Sequence, residues 1–196
     1  LHYPLRRQRQ MCIRDRKRLM NLQIRKATLD DLDRLMEIFE EARRFMCRTG
    51  NPNQWINGYP QRELIQEEIE ASHCYVCVTE DGRAVATFCF IQGPDPTYAR
   101  IENGEWRDDS PYYVIHRLAS DGFCKGIGKL CVDWCFRQWP CLRADTHADN
   151  KVMQHLLLST GFVYCGIIYV RNGTPRLAYQ KLACLLYTSD AADEED

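Results

Sequence analysis

The sequence lacks any long apolar run. Nothing in its 196 residues approaches the roughly 20 consecutive apolar residues that a transmembrane helix needs. It also lacks internal repeats and low-complexity segments, and no signal peptide is recognisable once the ends discussed below are set aside. The remaining length suits one domain with a single sizeable core. These absences favour a cytoplasmic protein that does not enter a membrane.

The two ends of the chain do not resemble evolved protein sequence. Back-translation of Arg6–Asp15 as CGTCGGCAGCGTCAGATGTGTATAAGAGAC gives DNA whose reverse complement, in another frame, encodes Leu186–Ala192. Unrelated protein termini are not expected to be complementary, whereas a library adapter ligated to both ends of a DNA fragment is. We therefore expect residues 1–19 and 183–196 to be non-native, adapter-derived sequence around a domain at 20–182. The alternative is a basic arm and an acidic tail.

Without these ends the chain carries no excess of either charge. Residues 1–19 hold seven of the 26 Lys and Arg residues and one acid, and residues 183–196 hold five of the 27 acids. The domain between them therefore has 19 bases and 21 acids. A near-neutral domain offers no electrostatic reason to expect a nucleic-acid partner.

Cysteine is abundant, but its pattern indicates neither disulfides nor zinc. Nine cysteines lie within residues 20–182, an odd number on apolar faces without secretory context, which predicts buried reduced thiols. Cys74-Tyr-Val-Cys77 has the spacing of half a zinc site. It lies in a strand-like run, where positions three apart point to opposite faces, and no second Cys-x-x-Cys exists. We therefore expect no metal site.

Hydrophobic periodicity predicts helices and strands in a definite order. Thr28-Leu-Asp-Asp31 resembles a capping box ahead of an amphipathic helix, and Glu80-Asp81-Gly82 predicts a hairpin. The predicted elements are a strand (22–26), two helices (31–48, 61–71), three strands (75–79, 83–91, 112–119), a helix (126–139), a strand (142–146), a helix (150–159) and two strands (162–170, 177–182). This order favours a single α/β domain whose mixed sheet is flanked by helices.

The segment Asp121-Gly-Phe-Cys-Lys-Gly-Ile-Gly-Lys129 follows a predicted strand and opens a helix. Glycines 126 and 128 let backbone N–H groups approach an anion closely, and the helix N-terminus adds its positive dipole end. The segment lacks the Gly-Lys-Ser/Thr of a P-loop, and Cys131 stands where a dinucleotide-binding turn has its third glycine. A tight strand-to-helix turn without a ligand is the alternative.

This loop resembles the pyrophosphate loop of the GNAT acyltransferases, Q/R-x-x-G-x-G/A, which follows that family's fourth strand. Phe123 stands where Gln or Arg is usual. The downstream spacing is also similar, since a helix, a strand and a second helix follow, the last led by Asn150 and closed by Gly161-Phe162. The resemblance covers nearly all of residues 20–182. It implies a GNAT fold and acetyl-CoA as the acyl donor.

The resemblance also implies individual contacts with acetyl-CoA. Leu118 and Ser120 are expected to pair through their backbones with the pantetheine arm, as a peptide-like strand would. Asn150 is expected to hydrogen-bond the same arm, and its alternative role is a helix N-cap. The residues expected to hold the pyrophosphate are Lys125 through its charge and, through their backbone amides, Gly126, Ile127, Gly128 and Lys129.

The family's mechanism is direct transfer, in which an amine attacks the thioester, a backbone amide of the fourth strand polarises the carbonyl and a base removes the proton. Many members have a Tyr seven residues after the Asn that protonates the departing thiolate. Leu157 occupies that position here. The candidate bases are two histidines, which titrate near neutral pH: His116 in the fourth strand and His147 after the fifth.

Simple packing is the alternative role for His116. Strand alternation places Tyr112, Val114, His116 and Leu118 on one face of the fourth strand. A histidine on such a face is often a core residue whose ring nitrogens are satisfied.

Aromatic residues indicate an acceptor site, which in this fold lies between the early helices and the splayed strands. The candidates are Trp55 and Tyr59 in the loop 51–59, and Tyr98, Glu102 and Trp106 in the link before the fourth strand. Aromatic walls with one acid suit a small amine or an amino-terminal peptide. The alternative is that these rings cap the core or form a homodimer interface.

We therefore expect an acetyl-CoA-dependent N-acetyltransferase that acts on the primary amine of a small molecule. A protein amino-terminal acetyltransferase is the second hypothesis. A catalytically idle acyl-CoA-binding or interaction domain is the third hypothesis, and the departures at Phe123 and Leu157 keep it open.

Overall fold

The computed structural model describes residues 21–183. The ends predicted to be adapter-derived, 1–19 and 183–196, lie outside the described residues except for Ala183. Between residues 21 and 183, none of the helices has both the length and the apolar character that a membrane span requires.

Strands and helices follow one another in the predicted order. The strands are β1 (Gln23–Lys26), β2 (Cys74–Val78), β3 (Ala84–Gln92), β4 (Tyr113–Ser120), β5 (Cys141–Thr146), β6 (Val163–Tyr169) and β7 (Pro175–Leu182). The helices are α1 (Leu32–Arg48), α2 (Arg62–Glu70), α3 (Ile127–Gln138) and α4 (Lys151–Ser159). Short 3-10 turns at Leu29–Asp31 and Pro96–Tyr98 precede α1 and interrupt the link between β3 and β4.

The seven strands form one mixed sheet in the order β1-β2-β3-β4-β5-β7-β6. Every neighbouring pair is antiparallel except β4 and β5. Those two run parallel and pair at two positions only, Tyr113 with Leu142 and Val114 with Arg143. The predicted mixed α/β sheet flanked by helices is confirmed.

Each face of the sheet buries the apolar stripe of two helices. On one face α1 and α2 contribute Leu35, Phe39 and Ile65 to a core that includes Val76 of β2. On the other face α3 and α4 contribute a second core, to which Leu157 belongs. Each fully buried side chain of this size contributes roughly 1.5–3 kcal/mol, so these two cores hold the helices on the sheet.

The start of α1 is fixed by the predicted capping box. The amide of Thr28 donates to the Asp31 carboxylate at 2.8 Å, and the amide of Asp31 donates to the Thr28 carbonyl at 3.0 Å. Two groups that the helix leaves unpaired at its N-terminus are thereby satisfied.

Strand β4 contains a bulge at Arg117. Cys89 of β3 pairs with His116, whereas Thr87 pairs with Ala119, so two residues of β4 lie opposite one residue of β3. Arg117 has a φ of 54°, in the left-handed region that non-glycine residues rarely adopt.

The bulge overturns one expectation from simple alternation. Leu118 does not share a face with His116, because the extra residue moves the side chains beyond it to the opposite face. Leu118 instead packs with Ile115 against the α3–α4 core, while Ala119 packs in the α1–α2 core.

The cysteines occupy the positions expected of small hydrophobes. Cys74 packs in the α1–α2 core and Cys77 in the α3–α4 core, on opposite faces of β2 as predicted. Each of the nine cysteines in residues 21–183 is a free thiol, and all are buried except Cys47 on α1.

The link between β3 and β4 crosses the sheet and is tied to β6. Glu102 and Ile167 exchange two backbone hydrogen bonds of 2.8 Å in an isolated antiparallel bridge. Next to this bridge the backbone of the link packs directly against the backbone of β6. A Cβ on Gly104 would lie 2.0 Å from the carbonyl oxygen of Cys165. Glycine at this position is therefore required by the close approach of the chain.

Gly104→Ala is expected to destabilise the protein by roughly 1–3 kcal/mol, because the added methyl group has no space and the link must move. Urea unfolding measures the effect. Glu105→Ala changes the exposed neighbouring residue and serves as the matched control. An unchanged free energy of unfolding in Gly104→Ala would contradict the close packing of the link on β6.

Candidate active site

A cleft of about 1540 Å³ opens where β4 and β5 part. Beyond Val114, the backbone of β4 has no pairing with β5 in the described part of the chain. The cleft is lined by the α1–α2 loop, β4, the loop before α3, the start of α4 and the β6–β7 hairpin. Its floor therefore offers unpaired backbone N–H and C=O groups to a ligand, as the edge of any sheet does.

The loop before α3 forms one end of the cleft, and Asp121 fixes its shape. The nearly buried Asp121 carboxylate accepts hydrogen bonds from the Phe123 amide at 2.9 Å, from Arg34 at 2.5 Å and from Arg83 at 2.7 Å. Gly126 then caps α3 with a φ of 91°, a conformation that glycine adopts without strain. The first N–H groups of α3, which lack helical partners, are thereby placed beside the cleft.

The predicted pyrophosphate-binding residues all line this end of the cleft, namely Lys125, Gly126, Ile127, Gly128 and Lys129. Leu118 and Ser120 of β4 line its floor. A Cβ on Gly128 would lie 3.0 Å from the Leu156 side chain and 4.0 Å from that of Leu118. Glycine at 128 therefore keeps open a narrow passage between α3, α4 and β4, which suits the arm of a nucleotide cofactor.

His116 faces the cleft beside a carboxylate that sequence analysis did not find. Its Nε2 lies 2.9 Å from Oδ2 of Asp95, and both side chains line the cleft with 22% of their surface exposed. Nδ1 of His116 has no hydrogen-bond partner within residues 21–183. An imidazole that donates from Nε2 to Asp95 keeps a lone pair on Nδ1, which is the arrangement a general base requires.

The environment of Asp95 keeps it ionised. Burial on its own would raise the pKa of Asp95, but hydrogen bonds from His116 and from the Thr97 amide, the latter at 2.8 Å, outweigh burial and lower that pKa to about 2. Asp95 therefore carries a negative charge at neutral pH and orients His116.

A second polar chain lies at the bulge of β4. Arg117 donates through Nε to the Tyr59 hydroxyl and through a terminal nitrogen to Glu68 of α2, both at 2.9 Å. His73 contacts the other oxygen of Glu68 at 2.9 Å. These bonds hold the left-handed turn of β4 and fix Tyr59 in the wall of the cleft.

Asn150 is committed to the protein itself through both polar atoms of its side chain. Its Oδ1 accepts the Met153 amide at 3.0 Å, which is the N-cap arrangement, and its Nδ2 donates to Gln54 at 2.8 Å. Gln54 also accepts from Asn51 at 2.9 Å. The α1–α2 loop is thus tied to the start of α4 across the cleft, and Asn150 remains in the cleft wall.

The predicted acceptor residues divide into two groups. Trp55 and Tyr59 line the cleft, and their rings lie 6.2 Å apart. Tyr98, Glu102 and Trp106 lie outside its lining. Tyr98 and Trp106 pack in a small core with Val114 and Ile168, whereas Glu102 pairs through its backbone with Ile167 and accepts a hydrogen bond from the Tyr169 hydroxyl. This packing corresponds to the core-capping alternative for the second group.

The remaining predicted residues lie around the cleft rather than in it. His147 contacts Asp149 at 3.3 Å in the turn after β5 and does not line the cleft. Leu157, at the family's Tyr position, is fully buried in the α3–α4 core. Neither side chain reaches the space between β4 and β5.

Comparison with protein-family models finds no match, and neither does comparison with curated proteins. Solved structures do match. A crystal structure of a GNAT-family acetyltransferase from Streptococcus agalactiae shares 34% identity over 82% of this chain and 95% of that chain, with a TM-score of 0.75. A GNAT-family acetyltransferase from Listeria monocytogenes (18% identity, 82% and 94% covered, TM-score 0.62) and one from Bacillus cereus (16%, 82% and 96%, 0.54) share the fold.

The parted strands, the glycine-led helix and these structural matches define the class of the protein as an acetyltransferase. The chain belongs to the GNAT family of N-acetyltransferases.

Asp95 and Arg176 are among the cleft residues that sequence analysis missed. Asp95 lies 21 residues before His116 in an irregular link, and its neighbours Pro94 and Pro96 indicated only a turn. Arg176 lies directly after the β6–β7 turn, where a charged residue is ordinary. Neither carries a local signal of function.

Asp95→Asn is expected to lower the free energy of unfolding by roughly 1–3 kcal/mol at pH 6, because a charge-assisted hydrogen bond to His116 is lost. The folded-state pKa of about 2 lies below the ordinary value of 3.8, so this stabilisation is complete above about pH 4 and is lost as the pH falls towards 2.

Unfolding by urea at pH 6, 4 and 2.5 measures the difference from wild type, which is expected to shrink over that series. Asp109→Asn changes an exposed acid of the same link and is the control. A difference that stays constant from pH 6 to 2.5 would contradict the charge-assisted hydrogen bond between Asp95 and His116.

Proposed function

We propose that this chain transfers an acetyl group from acetyl-CoA to the primary amine of a small molecule, by direct attack within a ternary complex. The observation that carries the proposal is the shared cleft: the glycine-led start of α3 and the His116–Asp95 pair open into the same space. Such a transfer needs an anion site that holds the acyl donor and a base beside the attacking amine, and the cleft contains a candidate for each. The protein is proposed to be cytoplasmic.

The residues along the cleft fit acetyl-CoA. Lys125 and the backbone amides of 126–129 are proposed to hold the pyrophosphate, because a helix N-terminus favours negative charge. The unpaired backbone of Leu118 and Ser120 is proposed to bind the pantetheine amides, as a strand would. Asn150 is proposed to contribute from the α4 side, although its amide is already shared with Gln54.

The chemistry assigned to the chain is proton transfer and charge stabilisation. Acetyl-CoA supplies the acetyl group as a thioester; the new N–C bond forms as the C–S bond breaks, and the sulfur leaves with the electron pair. His116 takes the proton from the attacking nitrogen on Nδ1, with Asp95 holding the ring. An unpaired N–H of β4 stabilises the oxygen that gains charge.

The leaving thiolate needs no strong acid, since an ordinary thiol has a pKa of only about 8.5 and its thiolate is a fair leaving group. Leu157 cannot donate a proton, and it is buried away from the cleft. Tyr59 lies in the cleft wall with its oxygen accepting from Arg117, which leaves its own proton free to donate. We assign protonation of the thiolate to Tyr59 or to solvent.

Gly128→Val is expected to weaken CoA binding at least tenfold, because the larger side chain must occupy the passage between Leu156 and Leu118. Calorimetric titration with CoA measures the effect, and the melting temperature reports the fold. Gln138→Val adds the same side chain at the exposed end of α3 and is the control. Unchanged CoA affinity in folded Gly128→Val would remove the assignment of the cofactor site.

His116→Gln is expected to lower kcat by about 10²- to 10⁴-fold with CoA affinity unchanged, since a positioned base is lost while the anion site is not touched. The acidic limb of the pH–rate profile should disappear with it. Thiol release from acetyl-CoA, measured against amines, polyamines, amino acids and peptides, provides the assay.

His147→Gln is the matched variant, because His147 does not line the cleft. Wild-type turnover and an unchanged acidic limb in His116→Gln would transfer the base role to His147 or to solvent. Turnover restricted to peptides would instead favour a protein amino-terminal acetyltransferase, and binding without any turnover an idle acyl-CoA-binding domain.

A further inference from the structure

We propose that the acceptor is an amino-acid-type amine that carries a carboxylate, and that Arg176 binds this carboxylate. The proposal rests on the acetyl transfer proposed for the same cleft, and it names the class of acceptor. Its starting point is a buried positive charge in the cleft that forms no salt bridge with any carboxylate of residues 21–183.

The Arg176 side chain lines the cleft, yet only 8% of the residue is exposed. Its one hydrogen bond within residues 21–183 goes to the carbonyl of the preceding Pro175, at 3.1 Å. No carboxylate in the described part of the chain lies within 4 Å of its guanidinium. A guanidinium carries five N–H donors, so most of the donors of this cleft-lining residue have no protein partner in the described part of the chain.

The other buried arginines of the same region differ in this respect. Arg117 is held by Glu68 and by the Tyr59 hydroxyl. Arg143 lies between two aromatic rings, 4.1 Å from the Trp106 centroid on one side and 3.9 Å from a second ring on the other. The first guanidinium thus has a carboxylate partner, and the second has two ring faces and the Asp108 carbonyl. Within residues 21–183 Arg176 has neither a carboxylate partner nor a ring face against it, and a buried charge without a partner is costly unless a ligand supplies one.

The surroundings of Arg176 place it on the same side of the sheet as the base. Asp145 of β5 lines the cleft and accepts a hydrogen bond from the Tyr98 hydroxyl at 2.7 Å. The Tyr98 ring lies 6.1 Å from the ring of His116. One tyrosine therefore spans the distance between the His116–Asp95 pair and the Asp145 carboxylate near Arg176.

Electrostatics agree with a ligand carboxylate at this position. Burial lowers the pKa of Arg176, and Asp145 opposes the shift without forming a salt bridge. A bound carboxylate would compensate the guanidinium through a bidentate pair of hydrogen bonds, the geometry that arginine favours. The acids Asp145 and Asp95 would at the same time attract the amino group towards His116. A cation that binds a carboxylate, beside acids that attract an amine, complements the two opposite charges of an amino acid.

The test compares acceptors that differ in one charge. Glycine, leucine, phenylalanine and glutamate are each assayed as the free acid and as the α-carboxamide, by thiol release from acetyl-CoA. The wild-type enzyme is expected to prefer at least one free acid by tenfold or more in kcat/KM. Arg176→Gln should abolish that preference with the KM for acetyl-CoA unchanged, and Arg176→Lys should restore part of it. Arg137→Gln, which removes an exposed charge from α3, should behave as wild type.

A binding measurement separates this proposal from the proposed transfer. N-acetyl-leucine and N-acetyl-leucinamide are titrated into the CoA-saturated wild-type protein, which needs no turnover and no folded variant. Tighter binding of the acid supports the carboxylate site even where no amine is acetylated. Equal binding of the acid and the amide overturns the proposal while leaving the acetyltransferase assignment intact. A preference for the free acid that is as large in Arg176→Gln as in wild type does the same.

Discussion

Strand β4 stops pairing with β5 after Val114, and the candidate active-site cleft opens at this separation. The bulge at Arg117 lies in the part of β4 that is not paired with β5, where it increases the twist of the strand and holds one residue in a left-handed conformation. Such a conformation costs about 1–3 kcal/mol and persists only where other contacts determine it. Here the contacts are the bonds of Arg117 to Glu68 and Tyr59, which join β4 to α2 and to the loop before it.

The same bulge decides which side chains enter the site. Before it, His116 points towards the face covered by α1, α2 and the long link, where it meets Asp95. After it, Leu118 points to the opposite face and joins the core under α3. Between these two residues the backbone of β4 has no pairing with β5. A regular strand would have placed both side chains on one face.

Several features followed from short stretches of sequence because their causes are local. The capping box at Thr28, the hairpin at Gly82 and the glycine-led start of α3 each depend on residues within a few positions of one another. The element order and the mixed sheet were predicted for the same reason, since periodicity reports which face of each element is buried. The glycine loop and the spacing downstream of it also indicated the family, because both are patterns of residues along the chain.

The sequence by itself determined the class of fold and the family, and it predicted an anion site at the start of α3 and His116 as a candidate base. Only the tertiary structure decided that His116 pairs with Asp95, that Leu118 leaves its face, and that Arg176 lies buried with no carboxylate of residues 21–183 beside it. It also decided that Tyr98 and Trp106 pack under the link. Each of these depends on residues 20 or more positions apart, or on one inserted residue in a strand. Such contacts are set by the packing of whole elements, and no local pattern of residues encodes them.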